Sequence, residues 1–166
     1  MLLSDIQYLF AYDRWATRRI LAVLPGVPDE TWGATGIVGD RGLGAILIHQ
    51  LGAHQRWRLG LGGDDEAVGR ARPELAPLPS PEALVAAWAA ELGAMEAWLD
   101  TLDDAFLARE DEGVPFWRML AHLANHGTQH RSEAAVLLTA VGRSPGDLDM
   151  IFFAEEEARR TASQRR

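Results

Sequence analysis

The sequence predicts an all-α protein, a four-helix bundle with a long crossover and a short C-terminal helix. Two observations predict this fold class. Four segments of about 20 residues or more carry apolar side chains at steps of three and four residues, and no segment has a convincing strand pattern. The 166 residues are 48% hydrophobic and 24% charged, which fits one folded domain over residues 1–166.

The boundaries of the predicted helices follow from capping and breaking residues. Ser4, with Gln7 three residues later, predicts a capping box at the start of the first helix. Ser80 followed by Pro81 predicts the start of the third helix. The predicted segments are helix one at 4–24, a loop at 25–41, helix two at 42–61, a crossover at 62–79, helix three at 80–102, a loop or short hairpin at 103–114, helix four at 115–141 and a last helix at 148–160.

Periodicity also predicts which side chains of two helices face the core and which face solvent. The last helix is expected to pack Ile151, Phe152 and Phe153 on the bundle. Glu91 and Glu96 in helix three lack the ExxH spacing of di-iron bundles. They are therefore expected to be charges on the solvated face of that helix.

Charge and composition exclude several classes of function. The net charge is −8, from 24 acidic and 16 basic side chains, and this argues against nucleic acid as a partner because clustered Lys and Arg bind phosphates. The chain has no cysteine, which excludes disulfides, thiolate metal ligands and a cysteine nucleophile. Neither a secretory signal nor an apolar run of about 18–20 residues is found. We therefore expect a cytoplasmic protein with no membrane partner.

All five histidines fall in two predicted helices, His49 and His54 in the second and His122, His126 and His130 in the fourth. Residues four apart share a helix face, so His126 and His130 can bind one ion, and the pair His122 and His126 has the same spacing. The third ligand is His49 or His54, and the apolar periodicity favours His49. Three protein ligands leave a position open for water or substrate, as in catalytic zinc sites.

Three helices and the C-terminal segment resemble the DinB/YfiT-like family. Residues 120–149, LAHLANHGTQHRSEAAVLLTAVGRSPGDLD, are similar to the family signature with two histidines four residues apart. Residues 46–57, ILIHQLGAHQRW, and residues 11–16, AYDRWA, are similar to its helices two and one. The resemblance implies a metal-binding four-helix bundle, usually a homodimer, with His49, His126 and His130 as the metal ligands.

The sequence departs from the family pattern at two positions. His54 stands where the family usually has an acidic residue, and Asp13 stands where Asn is common. If both side chains face the pocket they can pair, and His54 is then a candidate proton carrier in catalysis. By resemblance, Tyr12, Asp13 and Trp15 are candidates for the wall of a substrate pocket.

Arg131, next to His130, is a second candidate catalytic residue. Its guanidinium can hold a carboxylate of the thiol or substrate by a two-pronged contact. The alternative interpretation is a surface ion pair with Glu133 or another acid.

The resemblance implies an enzyme that uses one divalent metal, Zn²⁺ or Ni²⁺ being plausible, and an external low-molecular-weight thiol such as bacillithiol or mycothiol. Its expected activity is thiol S-transfer or isomerisation of an electrophilic small-molecule substrate. The alternatives are a metal-dependent hydrolase with water as nucleophile, a non-catalytic, stress-related protein that binds metal or a small ligand, and a metal-free structural bundle. The HExxH, P-loop, GxSxG and GxGxxG motifs are absent from the sequence.

Overall fold

The computed structural model describes residues 1–38 and 40–164, and within them it is an all-α bundle, as predicted. Four long helices run through it, with shorter elements between them. In chain order the elements are α1 Leu3–Ala22, α2 Asp29–Trp32, β1 Thr35–Val38, α3 Leu43–Leu61, α4 Asp65–Arg70, α5 Pro81–Leu99, α6 Asp104–Leu107, β2 Glu110–Asp111, β3 Val114–Pro115, α7 Phe116–Ala140 and α8 Met150–Gln164. β2 and β3 pair antiparallel, which confirms the short hairpin.

The predicted start of one long helix is confirmed and that of another is wrong. The Ser80 hydroxyl accepts a hydrogen bond from the Ala83 amide at 3.2 Å, so Ser80 caps α5 as expected. Ser4 does not cap α1, because the helix already begins at residue 3. The Asp5 carboxylate instead accepts from the amide of Leu2 at 2.9 Å. A carboxylate in the first turn is also favourable to the helix dipole.

The four long helices form a ring in the order α1, α7, α3 and α5. α7 packs against α1 and α3, and α5 packs against the same two helices from the other side. The crossover after α3 folds back on that helix, since α4 and a 3-10 turn at residues 73–75 both contact α3. Among the described residues, no helix combines the length and the apolar character needed to cross a membrane.

The core has three layers along the bundle axis, an apolar layer at each end and a polar layer between them. One apolar layer is built around Leu24, Leu47, Trp88 and Leu138. The other contains Ile6, Phe10, Met95, Leu99, Leu120 and Leu123. The polar layer consists of the buried residues Asp13, Thr17, Gln50, His54, Glu91 and Arg131. Each long helix therefore changes from apolar to polar and back to apolar along its inner face.

Glu91 is not on the solvated face, so that prediction is wrong. Its carboxylate is 3% exposed and accepts two hydrogen bonds from Arg58 of α3, at 2.9 and 2.7 Å. The guanidinium of Arg58 compensates the negative charge of Glu91, so this carboxylate can be buried and need not face water. Glu96 is half-exposed and forms an ion pair with Arg14 of α1.

Only one of the three apolar residues predicted to dock α8 does so. Phe153 is buried and its ring contacts those of Tyr12 and Trp15. Ile151 and Phe152 are 57% and 42% exposed, so the prediction for them is wrong. Consecutive residues of a helix point about 100° apart, and a single contact with α1 therefore buries one of them. α8 keeps two apolar side chains at the surface.

Candidate metal centre

Three histidines converge between α3 and α7. His126 and His130 lie one turn apart on α7, and their Nε2 atoms are 3.1 Å apart. The ring of His49 on α3 lies 5.3 Å from that of His126 and 4.9 Å from that of His130, measured between centroids. Each side chain offers one ligand atom, all within 4.8 Å of one another. Because a tetrahedral ion about 2.1 Å from each nitrogen holds its ligands about 3.4 Å apart, the three histidines can bind one metal ion.

A carboxylate fixes the orientation of one of these rings. The Oε2 atom of Glu133 lies 2.7 Å from Nδ1 of His130, one turn further along α7. When Nδ1–H donates to this carboxylate, Nε2 carries the lone pair and faces His126. Sequence analysis considered Glu133 only as a partner for Arg131. Its position three residues after His130 was the signal for this contact.

Partial burial keeps two of the candidate ligands unprotonated. Burial lowers the pKa of His126 to about 4, with further lowering by the nearby His130 and His49. Burial also lowers the pKa of His49, and the positive charge of Arg41 adds to the effect. A metal ion binds neutral imidazole, so both side chains are in the binding form at neutral pH.

Glu133 remains ionised beside the cluster. Burial acts to raise the pKa of this carboxyl group, but hydrogen bonds from Gln129 and His130 outweigh burial and lower it. A negative charge at this position balances part of the positive charge that a bound divalent ion would bring.

The structure separates the alternative ligands that sequence spacing left open. His122 is exposed and its ring lies 5.9 Å from that of His126, on the side of Trp57. His54 is fully buried and packs edge-on against Trp88 and Phe10 in the middle of the bundle. The group that converges is His49, His126 and His130.

Asp13 and Arg131 form an ion pair inside the bundle, and both side chains are 1% exposed. Nη2 of Arg131 also donates to the Thr128 hydroxyl at 3.1 Å. The alternative prediction of a surface pair between Arg131 and Glu133 is wrong, because Arg131 points inward to Asp13. The predicted contact of Arg131 with a carboxylate of the thiol or substrate stays a prediction. In this structure the guanidinium is already paired with the carboxylate of Asp13.

His54 lies beside Asp13 in the polar layer. Its Nε2 atom is 3.4 Å from Oδ2 of Asp13. Burial lowers the pKa of His54 even though the negative charge of Asp13 acts in the opposite direction. His54 is therefore a neutral imidazole at neutral pH, and its proposed role as a proton carrier stays a prediction.

Tyr12 and Trp15 face α8 and not the three histidines. The Tyr12 hydroxyl donates to the carbonyl of Leu148 at 2.8 Å, and the Trp15 indole donates to Glu156 at 2.8 Å. Both rings contact Phe153. In this structure they hold the C-terminal segment on α1, and their role as a substrate-pocket wall stays a prediction.

Gly127 allows the buried ion pair to lie directly behind the metal centre. A Cβ atom at this position would lie 2.5 Å from Oδ1 of Asp13 and 2.7 Å from Nη1 of Arg131. Gly127 follows His126 in α7, so the backbone that presents the histidines to α3 also packs against the ion pair. Neither spacing nor capping marks this glycine in the sequence.

The fold and the site define a class of protein, a four-helix bundle with three histidines that can bind a metal ion. The model of the DinB family matches residues 2–165. The chain therefore belongs to the DinB family. Comparisons with curated proteins and with solved structures gave no match.

We expect substitutions to distinguish the three converging histidines from the neighbouring His122. The protein should bind about one Zn²⁺ or Ni²⁺ per chain, and His49→Ala or His126→Ala should abolish binding at micromolar metal because each removes one of three ligands. Glu133→Gln should weaken affinity about 10- to 100-fold by releasing the His130 ring. Metal content and titration calorimetry measure both effects. His122→Asn is the matched control, and a loss of metal from it equal to that from His126→Ala would contradict the assignment.

Metal occupancy should depend on pH in a direction set by the lowered pKa values. Protons compete with the metal for imidazole, so the ion should be released as pH falls from about 6 to about 4 and retained above that range. In the metal-free protein, folded His126 has a pKa of about 4 against 6.5 for an unperturbed histidine. The folded state then binds fewer protons, so the free energy of unfolding should fall below pH 6.5 and stay unaffected above it. Urea unfolding from pH 8 to pH 4 measures this, and an equal slope in His126→Asn would contradict it.

Proposed function

We propose that this DinB-family protein is a divalent-metal-dependent enzyme that transfers a low-molecular-weight thiol to an electrophilic small molecule, or isomerises such a molecule with the thiol as cofactor. The observation that carries the proposal is the convergence of His49, His126 and His130. Three nitrogen ligands leave positions open for exchange, which is the arrangement of catalytic sites.

The ligand set fits an external thiol as the nucleophile. The protein has no cysteine of its own. A divalent ion held by the three imidazoles would supply a Lewis acid that lowers the pKa of a thiol near it. His130 and Glu133 contribute a fixed ring orientation, and burial keeps His49 and His126 unprotonated. We assign this activity to the cytoplasm, where thiols are kept reduced.

Positive charge near His49 favours an anionic thiol. Arg41 and Arg56 both act to lower the pKa of His49, so both contribute positive potential at the site. Arg56 is paired with Glu74 of the crossover at 2.6 Å. Arg41 is exposed and also lowers the pKa of Glu133. We infer that Arg41 is better placed than the buried Arg131 to contact a carboxylate of the thiol or substrate.

We also propose that the protein is a homodimer, as the family resemblance implies, with α8 in the interface. Ile151 and Phe152 are the apolar side chains that α8 leaves exposed.

The double substitution Ile151→Glu/Phe152→Glu should convert a dimer to a monomer, because it replaces buried apolar area by charge. Light scattering coupled to size-exclusion chromatography measures the mass. Val114→Glu, on the exposed hairpin, is the control, and a monomeric parent protein would overturn the proposal.

The activity is tested with the metal-loaded full chain, a low-molecular-weight thiol and monochlorobimane. The thiolate sulfur forms a bond to carbon, chloride leaves, and the thiol proton passes to solvent. We expect a fluorescent product at a rate that depends on metal, falls to the uncatalysed background in His126→Ala and is retained in His122→Asn. Bacillithiol, which carries carboxylates, is compared with mycothiol, which carries none, and Arg41→Ala should raise KM for bacillithiol but not for mycothiol.

Three other results would each reject thiol transfer. Stoichiometric metal binding without turnover of any thiol would indicate a non-catalytic metal-binding protein. Hydrolysis of an activated ester at the same rate with and without thiol would indicate a metal-dependent hydrolase with water as the nucleophile. The absence of any metal binding would indicate a metal-free structural bundle.

A further inference from the structure

A cavity of about 270 Å³ lies between α1 and α5, away from the three metal-binding histidines. Its walls are mainly apolar, with Phe10 from α1 and Leu92, Met95 and Leu99 from α5. His49, His126 and His130 lie between α3 and α7, and none of these three lines this cavity. An apolar cavity of about 150 Å³ is enough to hold benzene, so this one has room for a single aromatic ring with a substituent.

The floor of the cavity carries polar atoms that lack partners. Asp13 and His54 line it, and they are 1% and 0% exposed. Oδ2 of Asp13 and both ring nitrogens of His54 have no hydrogen-bond partner among the described residues. A neutral imidazole has one donor and one acceptor. With the carboxylate oxygen this makes two acceptors for one donor among these cavity-lining atoms. The buried unpartnered donors of Gln50, Trp88 and Arg131 belong to residues that do not line the cavity. A ligand in the cavity can therefore supply the missing donor.

The charges around the floor are already balanced. The negative charge of Asp13 is paired with Arg131, and that of Glu91 is paired with Arg58. His54 is neutral because burial lowers its pKa. An anionic ligand would meet the carboxylate of Asp13, and a cationic ligand would add an uncompensated charge to a buried site. A neutral ligand avoids both penalties.

Two polar contacts cross the cavity mouth from α1 to α5. Arg14 forms an ion pair with Glu96, and Nε2 of Gln7 donates to Asp100 at 3.2 Å. Both contacts involve side chains that are partly or largely exposed, so opening them costs little. A ligand can therefore enter from solvent without any change at the metal centre.

We propose that this cavity is a second binding site, specific for a neutral, largely apolar small molecule with one O–H or N–H donor, of the size of phenol or indole. The ring packs on the apolar walls, and its donor satisfies the unpaired acceptor at Asp13 or His54. The proposal does not depend on metal at the histidine site, and binding is therefore expected in both the metal-loaded and the metal-free protein.

The four methionines give a direct test, because Met95 lines the cavity while Met1, Met119 and Met150 do not. The full chain labelled with ¹³C at methionine methyl groups is titrated with phenol, with and without zinc. We expect a saturable shift of the Met95 signal alone, at millimolar phenol or below. Equal shifts of all four signals, or no shift at Met95, would overturn the proposal.

Ligand and protein variants test the chemistry of the floor and the shape of the walls. Benzoate and anisole should bind at least about tenfold more weakly than phenol, since one is anionic and the other lacks the donor. Leu92→Phe should fill the cavity and weaken phenol binding, while Leu78→Phe on the exposed crossover should not. Thermal melting confirms that each variant folds. Equal affinity for phenol and benzoate, or unchanged binding by folded Leu92→Phe, would contradict the assignment.

Discussion

The ion pair between Asp13 and Arg131 is the constraint on which the rest of the structure depends. It joins α1 to α7 in the polar layer, and both charges are removed from water. Loss of either partner would leave a buried charge uncompensated, at a cost of about 3–5 kcal/mol. Because Arg131 follows His130 in α7, the pair also fixes the rotation of that helix about its axis. The side of α7 that carries His126 and His130 is thereby turned toward α3.

The sequence predicts most of the fold and the face of α7 that carries the candidate metal ligands. It does not determine how α3 is aligned along α7. Apolar periodicity locates the four long helices, and four-residue spacing puts the histidines of α7 on one face. That spacing is identical for His122/His126 and His126/His130, so it leaves the pair open. The choice depends on how far α3 is displaced along α7, which brings His49 opposite His126 and His130. This displacement is set by packing between helices far apart in sequence.

Buried charges are the feature that sequence reasoning misses. A charged residue is assigned to solvent unless a partner is known, and the partners here are distant. Arg131 and Asp13 are 118 residues apart, and Arg58 and Glu91 are 33 apart. Local rules instead suggested Glu133 for Arg131, two residues away, and a solvated face for Glu91. The i to i+3 contact of Glu133 with His130, by contrast, is an interaction that local spacing alone could have found.

The two residues that depart from the expected family pattern lie beside each other in the polar layer. The resemblance to the family implies Asn at position 13 and an acidic residue at position 54, whereas this chain has Asp13 and His54. The carboxylate at position 13 pairs with Arg131. In this chain the carboxylate comes from α1, and α3 contributes a neutral imidazole whose ring nitrogens lack partners. Asp13 thus takes part in the buried ion pair, and its second oxygen and the ring of His54 leave unpartnered polar atoms at the floor of the α1–α5 cavity.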